Sequence, residues 1–367
     1  NLDESHRIAS AFAEVDIHHS VTFKTQAGIN FTNKAIDHGQ ETISPFKDES
    51  FVRPYVNFQI GNSLSEWLLE LGGEVNYSFD GFSDPASAYP GYRANLQWRI
   101  NNAFEASIGA RHAAGQNIQT FGRIESYNQP LIIDKYEFSL DYTNHKHSFS
   151  FTPYLQEIKY LPVFFIPTGF IHLADQSDPI ISSAFLSGNT QGKGRYYGLE
   201  LDWKMRSENG WKIGANQTVY TSIRSGPENE FENSKYDGQY ASHLIIAKEI
   251  YKVRKEKNRI WNFSLRGMLN GGIRAQTIDT DASQEFERTV FSNPGGYHER
   301  LPAYKRVDAS ISRTIANEKA KWRIALDIQN VLNMSNVAFE YYDPFLQRIE
   351  VQEQLGIIPV FSVQVSW

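Results

Sequence analysis

Over long stretches the chain alternates apolar and polar residues with a period of two. Between Arg195 and Ile223, Tyr197, Leu199, Leu201, Trp203 and Met205 are apolar, and Gly198, Glu200, Asp202, Lys204 and Arg206 between them are small or charged. After Ser207-Glu208-Asn209-Gly210 the pattern resumes, with Trp211, Ile213, Ala215 and Val219 set against Lys212, Asn216, Thr218 and Tyr220. Successive side chains of a strand point to opposite faces, so this spacing predicts long strands with one apolar and one charged face. Amphipathic helical spacing is almost absent. About fifteen strands are predicted, with cores at 7–17, 21–32, 51–60, 66–79, 92–100, 103–111, 135–143, 147–157, 195–206, 211–223, 240–253, 259–270, 304–316, 321–332 and 357–367.

The connections between these strands alternate in length. Short ones fall at 18–20, 61–65, 101–102, 144–146, 207–210, 255–257 and 317–320; long ones fall at 33–50, 80–91, 112–134, 158–194, 224–239, 271–303 and 333–356. Asn209-Gly210 suits a tight hairpin, because both residues tolerate positive φ. A soluble sandwich has no reason to sort its loops by end. A transmembrane barrel has short periplasmic turns and longer outer loops.

The seven tryptophans, at 67, 98, 203, 211, 261, 322 and 367, test this reading. Each lies near a short turn or the chain end, on the apolar side of its strand. Indole favours the membrane interface, with its ring in the apolar edge and its N–H in the wet layer. Lipid cannot hydrogen-bond backbone groups, so spanning strands must pair into a closed sheet. The expected fold is therefore all-β, a transmembrane antiparallel β-barrel with an apolar exterior. Its inward side chains would include Glu70, Glu74, Arg93, Arg99, Glu200, Asp202, Arg323 and Asp327, facing the lumen and whatever fills it.

The final segment places Ile357, Pro359, Phe361, Val363, Val365 and Trp367 on one face, which fits the terminal strand of an outer-membrane barrel. Complete bacterial barrels have an even strand number with both ends periplasmic. An odd count whose first strand starts outside predicts that residues 1–367 form part of a barrel, with its first strands elsewhere; an undetected extra strand is the alternative.

Composition narrows the function. The net charge of −6 argues against nucleic acid as a partner, and the absence of cysteine excludes a disulfide scaffold and thiolate metal sites. No window approaches the roughly 20 apolar residues of a membrane-spanning helix. The segment 187–195, Ser-Gly-Asn-Thr-Gln-Gly-Lys-Gly-Arg, is one residue short of a phosphate loop and lacks its Ser/Thr. His18-His19 and the pair His145 and His147 supply two ligands without a third. Asp279-Thr-Asp-Ala-Ser283 lacks the Gly and distal Glu of a calcium loop. No nucleophile, base and orienting acid occur together. The reading is of a protein that is not an enzyme and needs no cofactor or metal.

The segments Gly194–Trp203, Arg300–Ile315, Trp322–Asp343 and Gly356–Trp367, with Asn330-Val-Leu-Asn333 and then Asn336-Val337 before the last long loop, are together specific. From about Ser65 onward they resemble the C-terminal part of a TonB-dependent outer-membrane receptor, whose barrel has 22 strands around a plug. The resemblance implies import of a nutrient such as a metal chelate, an oligosaccharide or a peptide across a Gram-negative outer membrane. It implies as partners outer-membrane lipid, the plug with the missing strands, an energy-coupling protein acting through the plug, and, as a further candidate, a surface lipoprotein. It also implies ligand contacts in the outer loops, where Tyr127, Phe165, His172, Tyr297, His298 and Tyr342 are candidates. No plug and no coupling box are found in these residues, so a structural scaffold barrel without transport is the alternative.

Overall fold

Residues that alternate in the sequence pair in space. A computed structural model describes residues 4–38, 49–61, 66–80, 87–115, 131–166, 169–172, 188–226, 230–254, 257–292, 296–316 and 320–367. The strands are β1 (Glu4–His18), β2 (Phe23–His38), β3 (Glu49–Ile60), β4 (Trp67–Asp80), β5 (Ser87–Arg99), β6 (Phe104–Gly115) and β7 (Leu131–Thr143). They continue with β8 (His147–Ile166), β9 (Gly169–His172), β10 (Gly188–Arg206), β11 (Trp211–Ser225), β12 (Phe231–Asn233), β13 (Tyr240–Arg254) and β14 (Lys257–Asn270). The last are β15 (Arg274–Ala275), β16 (Glu299–Arg300), β17 (Tyr304–Ala316), β18 (Lys321–Gln329), β19 (Val337–Asp343), β20 (Arg348–Glu353) and β21 (Ile358–Ser366), and among the described residues there is one short helix, α1 (Thr280–Glu285).

All fifteen expected strands are present, and the six others among the described residues, β9, β12, β15, β16, β19 and β20, are short and lie within the long connections. Several strands outrun their expected ends. β2 reaches His38, β8 reaches Ile166, and β10 starts at Gly188 inside the stretch that resembles a phosphate loop. A ladder needs only backbone groups, so it persists where side-chain alternation stops. The calcium-like Asp279–Ser283 segment opens a helix: the Asp279 carboxylate caps α1 by accepting from the Ala282 N–H at 3.0 Å.

The chain divides into two compact units. The first comprises residues 1–140, 154–197 and 223–232; the second comprises 141–153, 198–222 and 233–367. In the first unit, β1 through β6 pair antiparallel in chain order. In the second, β11 pairs with β13, followed in turn by β14, β17, β18 and β21. The short turns are closed by local chemistry. Asn101 Oδ1 accepts from the N–H of Ala103 and of Phe104, and Asn144 Oδ1 accepts from those of Lys146 and His147, at 2.7–3.0 Å. Gly210 has φ of +80°, and a Cβ there would meet the Glu249 carbonyl oxygen at 2.3 Å, so this turn requires glycine.

Register fixes the faces. In the first unit Trp67 lies opposite Trp98, and their rings stack at 5.2 Å. Leu69 lies opposite Leu96, and Leu96 opposite Ile108. In the second, Phe263, Ile311, Leu326 and Phe361 form one row across β14, β17, β18 and β21. These apolar faces are bare: Ile108 is 61 % exposed, Leu265 52 % and Phe361 69 %. So much exposed apolar surface calls for a non-aqueous cover. No helix among the described residues is long and apolar enough to cross a membrane.

Candidate functional site: the polar face

On the opposite face of the first unit, Glu14, Gly28, Tyr55, Glu74 and Gly91 form one row across β1 to β5. The next row is Asp16, Gln26, Asn57, Gly72, Arg93 and Arg111. Two glycines let long side chains lie flat here. The Tyr55 ring crosses Gly28, where a Cβ would sit 2.6 Å from the ring; the Arg93 stem crosses Gly72, where a Cβ would sit 2.9 Å from it. The Tyr55 hydroxyl then donates to the Glu14 carboxylate. Asn57 donates to Gln26 at 3.1 Å, and Arg53 faces Glu74 at 3.9 Å.

These residues enclose a polar hollow of ≈ 300 Å³, lined by Glu14, Arg53, Tyr55, Glu74, Arg93 and Arg111 among others. Such a wall offers forked guanidinium donors and carboxylate acceptors, suited to holding another polar surface in a defined orientation. Among the described residues no group of three His, Asp or Glu is placed to hold a metal ion.

The polar face of the second unit is cross-linked differently. Asp202 accepts from Asn216 at 3.1 Å, and Lys212 pairs with Glu249 at 2.8 Å. Arg306 makes a two-pronged bond to Asp308, at 2.7 and 2.8 Å. Asp308 also accepts from the Asn330 N–H at 2.9 Å. Asp237, almost wholly buried, binds both Arg274 and Arg300 at 3.1 Å. Arg300 also donates to the Gly272 carbonyl and Arg274 to that of His298. One carboxylate thereby gathers three segments of two long connections.

Comparison with known proteins places the chain. Residues 17–331 match the family model described as TonB dependent receptor-like, beta-barrel. The chain belongs to the TonB-dependent receptor family. A search of curated proteins found no match. Three solved structures share the receptor fold. The ferric-catecholate import receptor Fiu from E. coli K12 is 10 % identical at a TM-score of 0.65, covering 99 % of this chain and 55 % of its own. The FrpB iron transporter from Neisseria meningitidis (F5-1 variant) is 12 % identical at 0.66, covering 98 % and 56 %. The copper transporter OprC is 10 % identical at 0.65, covering 99 % and 56 %. This TonB-dependent receptor chain thus spans little more than half the length of those structures.

The asparagines of the Asn330–Asn336 segment each have a physical role. Asn330 and Asn333 both have φ of +50°, a conformation asparagine tolerates better than most residues. The Asn330 amide bonds both the N–H and the carbonyl of Met334 at 2.9 Å. The Asn336 amide bonds both the N–H and the carbonyl of Lys305 at 2.8 Å, as a neighbouring strand would. These asparagines end β18 and clasp the next segment onto β17.

The residues singled out from the sequence fall in several places. Glu74 and Arg93 line the hollow, and Glu70 lies one row away, taking Asn95 at 3.4 Å. Arg99 is opposite Glu105 on that face. Glu200 and Asp202 lie on β10 of the second unit. Arg323 sits opposite Thr314 and Gln364, and Asp327 opposite Ser310 and Val360. Among the loop candidates, Tyr127 lies outside the described residues. Phe165 and His172 occupy the β8–β9 hairpin, opposite Phe170 and Val163. Tyr297 and Tyr342 are buried, and His298 is exposed. Sequence reasoning missed Glu14, Arg53, Tyr55 and Arg111 in the hollow and Asp237 at the loop base. The polar positions Arg53, Tyr55, Asn57 and Gln59 alternate along β3, a signal that was available.

Proposed function

We propose that this chain is the C-terminal barrel portion of an outer-membrane transporter that imports a nutrient ligand, a metal chelate, an oligosaccharide or a peptide, through energy-coupled movement of a plug. The observation that carries this reading is the contrast between faces: charged rows and a polar hollow on one side of strands whose other side is bare and apolar. Glu70, Glu74, Arg93, Arg99, Glu200, Asp202, Arg323 and Asp327 then face the lumen. Their ion pairs and hydrogen bonds hold a plug and are exchanged when it moves. The outer loops make the first ligand contact, through residues such as Tyr127, Phe165, His172 and His298; Tyr297 and Tyr342, being buried, support the loops from within. Family membership supports transport, and the comparisons lend no support to a scaffold barrel without it.

The test is deletion of the full gene in its host. Uptake would be followed with iron-55 chelates, labelled oligosaccharides and labelled peptides, each with and without a protonophore. Loss of energy-dependent uptake of one class is expected, restored by the intact gene. Unchanged uptake of all three classes would overturn the reading.

A further inference from the structure

The apolar face of the second unit carries an unexpected charge pattern at its short-turn end. Register sets three successive tiers. The uppermost reads Trp211, Lys248, Phe263, Ile311 and Leu326 across β11, β13, β14, β17 and β18. The second includes Ile250, Trp261, Arg313 and Ile324. The third includes Lys252, Arg259, Ile315 and Trp322. Four cations thus share this rim with three tryptophans. No Asp or Glu occupies the same face along the paired residues of β11, β13, β14, β17, β18 and β21.

Among the described residues, no carboxylate forms an ion pair with these cations. Lys248 lies over the Trp211 ring at 4.9 Å, and Arg313 over the Trp261 ring at 5.1 Å. Such stacking orients a cation and leaves its donors available. Lys248 donates to the Asn209 carbonyl, one of its three possible bonds. The Nε atoms of Arg259 and Arg313 are covered and have no hydrogen-bond partner. Lys248 and Trp211 themselves help to line a groove of ≈ 470 Å³ whose other lining is mostly apolar, including Ile246, Leu265, Ile311 and Ile328, with Ser264 and Ser310.

A cationic rim joined to an apolar groove matches one class of molecule: a negatively charged headgroup carrying an acyl chain. We infer that this rim binds an anionic phospholipid of the periplasmic leaflet, its phosphate held by Lys248, Lys252, Arg259 and Arg313 and an acyl chain laid in the groove. The inference rests on the proposed membrane-spanning reading, which places this face against lipid. A cation near a membrane surface gains about five-fold in affinity for anionic lipid, and tryptophan fixes the depth of the rim.

The test uses the full-length protein in vesicles of brominated phosphatidylcholine or brominated phosphatidylglycerol, reading quenching of tryptophan fluorescence. Quenching by the phosphatidylcholine form reports lipid contact as such, and its absence would overturn the membrane reading itself. The inference concerns the preference between headgroups. The native protein should favour phosphatidylglycerol by about five-fold or more. The combined variant Lys248→Gln, Lys252→Gln, Arg259→Gln and Arg313→Gln should lose that preference while still being quenched by phosphatidylcholine. The charge-conserving variant Lys248→Arg, Lys252→Arg, Arg259→Lys and Arg313→Lys should keep it. No preference in the native protein, or a preference surviving the glutamine variant, would overturn the inference.

Discussion

The two units finish the same kind of apolar face with different chemistry. In the first, the face across β2 to β6 is aliphatic and aromatic from Phe23 and Ile60 through the stacked Trp67–Trp98 pair to Phe104, with no Lys, Arg, Asp or Glu along its described side chains. In the second, the corresponding rim interleaves tryptophan with Lys248, Lys252, Arg259 and Arg313. Each rim carries aromatic rings, which on the proposed membrane reading sit where apolar and wet layers meet. A neutral rim senses depth alone, whereas a cationic rim also senses the charge of the headgroups it touches. On the proposed membrane reading, anchoring and lipid selection are separable, and the two units divide them.

The sharpest way to break the comparison is to place a charge at mid-face. Leu201→Arg in the second unit and Ile108→Arg in the first should each lower stability by about 2–4 kcal/mol, measured by urea unfolding in vesicles. Asp202→Arg, on the polar face beside Leu201, should cost far less. If Ile108→Arg were tolerated as well as Asp202→Arg, the two apolar faces would not share one surroundings. A smaller effect is expected at the rim. Trp98→Ala should lose about 0.5–1.5 kcal/mol from its ring stack with Trp67, beyond the area lost. The substitution Trp98→Lys should add only about 0–1 kcal/mol for the charge itself, because the penalty falls toward the interface. Smallest of all, Lys252→Gln should move unfolding by no more than about 0.5 kcal/mol. A large loss there would mean that Lys252 supports the fold.

Much of this architecture is legible in the sequence alone. Tyr197, Leu199, Leu201 and Trp203 announce their face by spacing alone, and the short turns by Asn, Gly and their brevity. Period-two alternation is a local property that each strand carries by itself. The ends of β2, β8 and β10 were not legible, because backbone ladders continue past the last amphipathic pair. The hollow and the Asp237 node were not legible either, since Glu14 and Tyr55, or Asp237 and Arg300, meet only through register.

The sequence by itself determined that these strands have two faces, one for an apolar solvent and one for a polar one, and roughly where each strand turns back. Only the tertiary structure decided which side chains share a row. It laid Tyr55 across Gly28, put Arg313 on Trp261 and gathered four cations onto one rim. The reason is that facing depends on whether a residue number is odd or even. Neighbourhood depends on how far each strand slides against the next, and backbone pairing between chain-distant residues sets that distance.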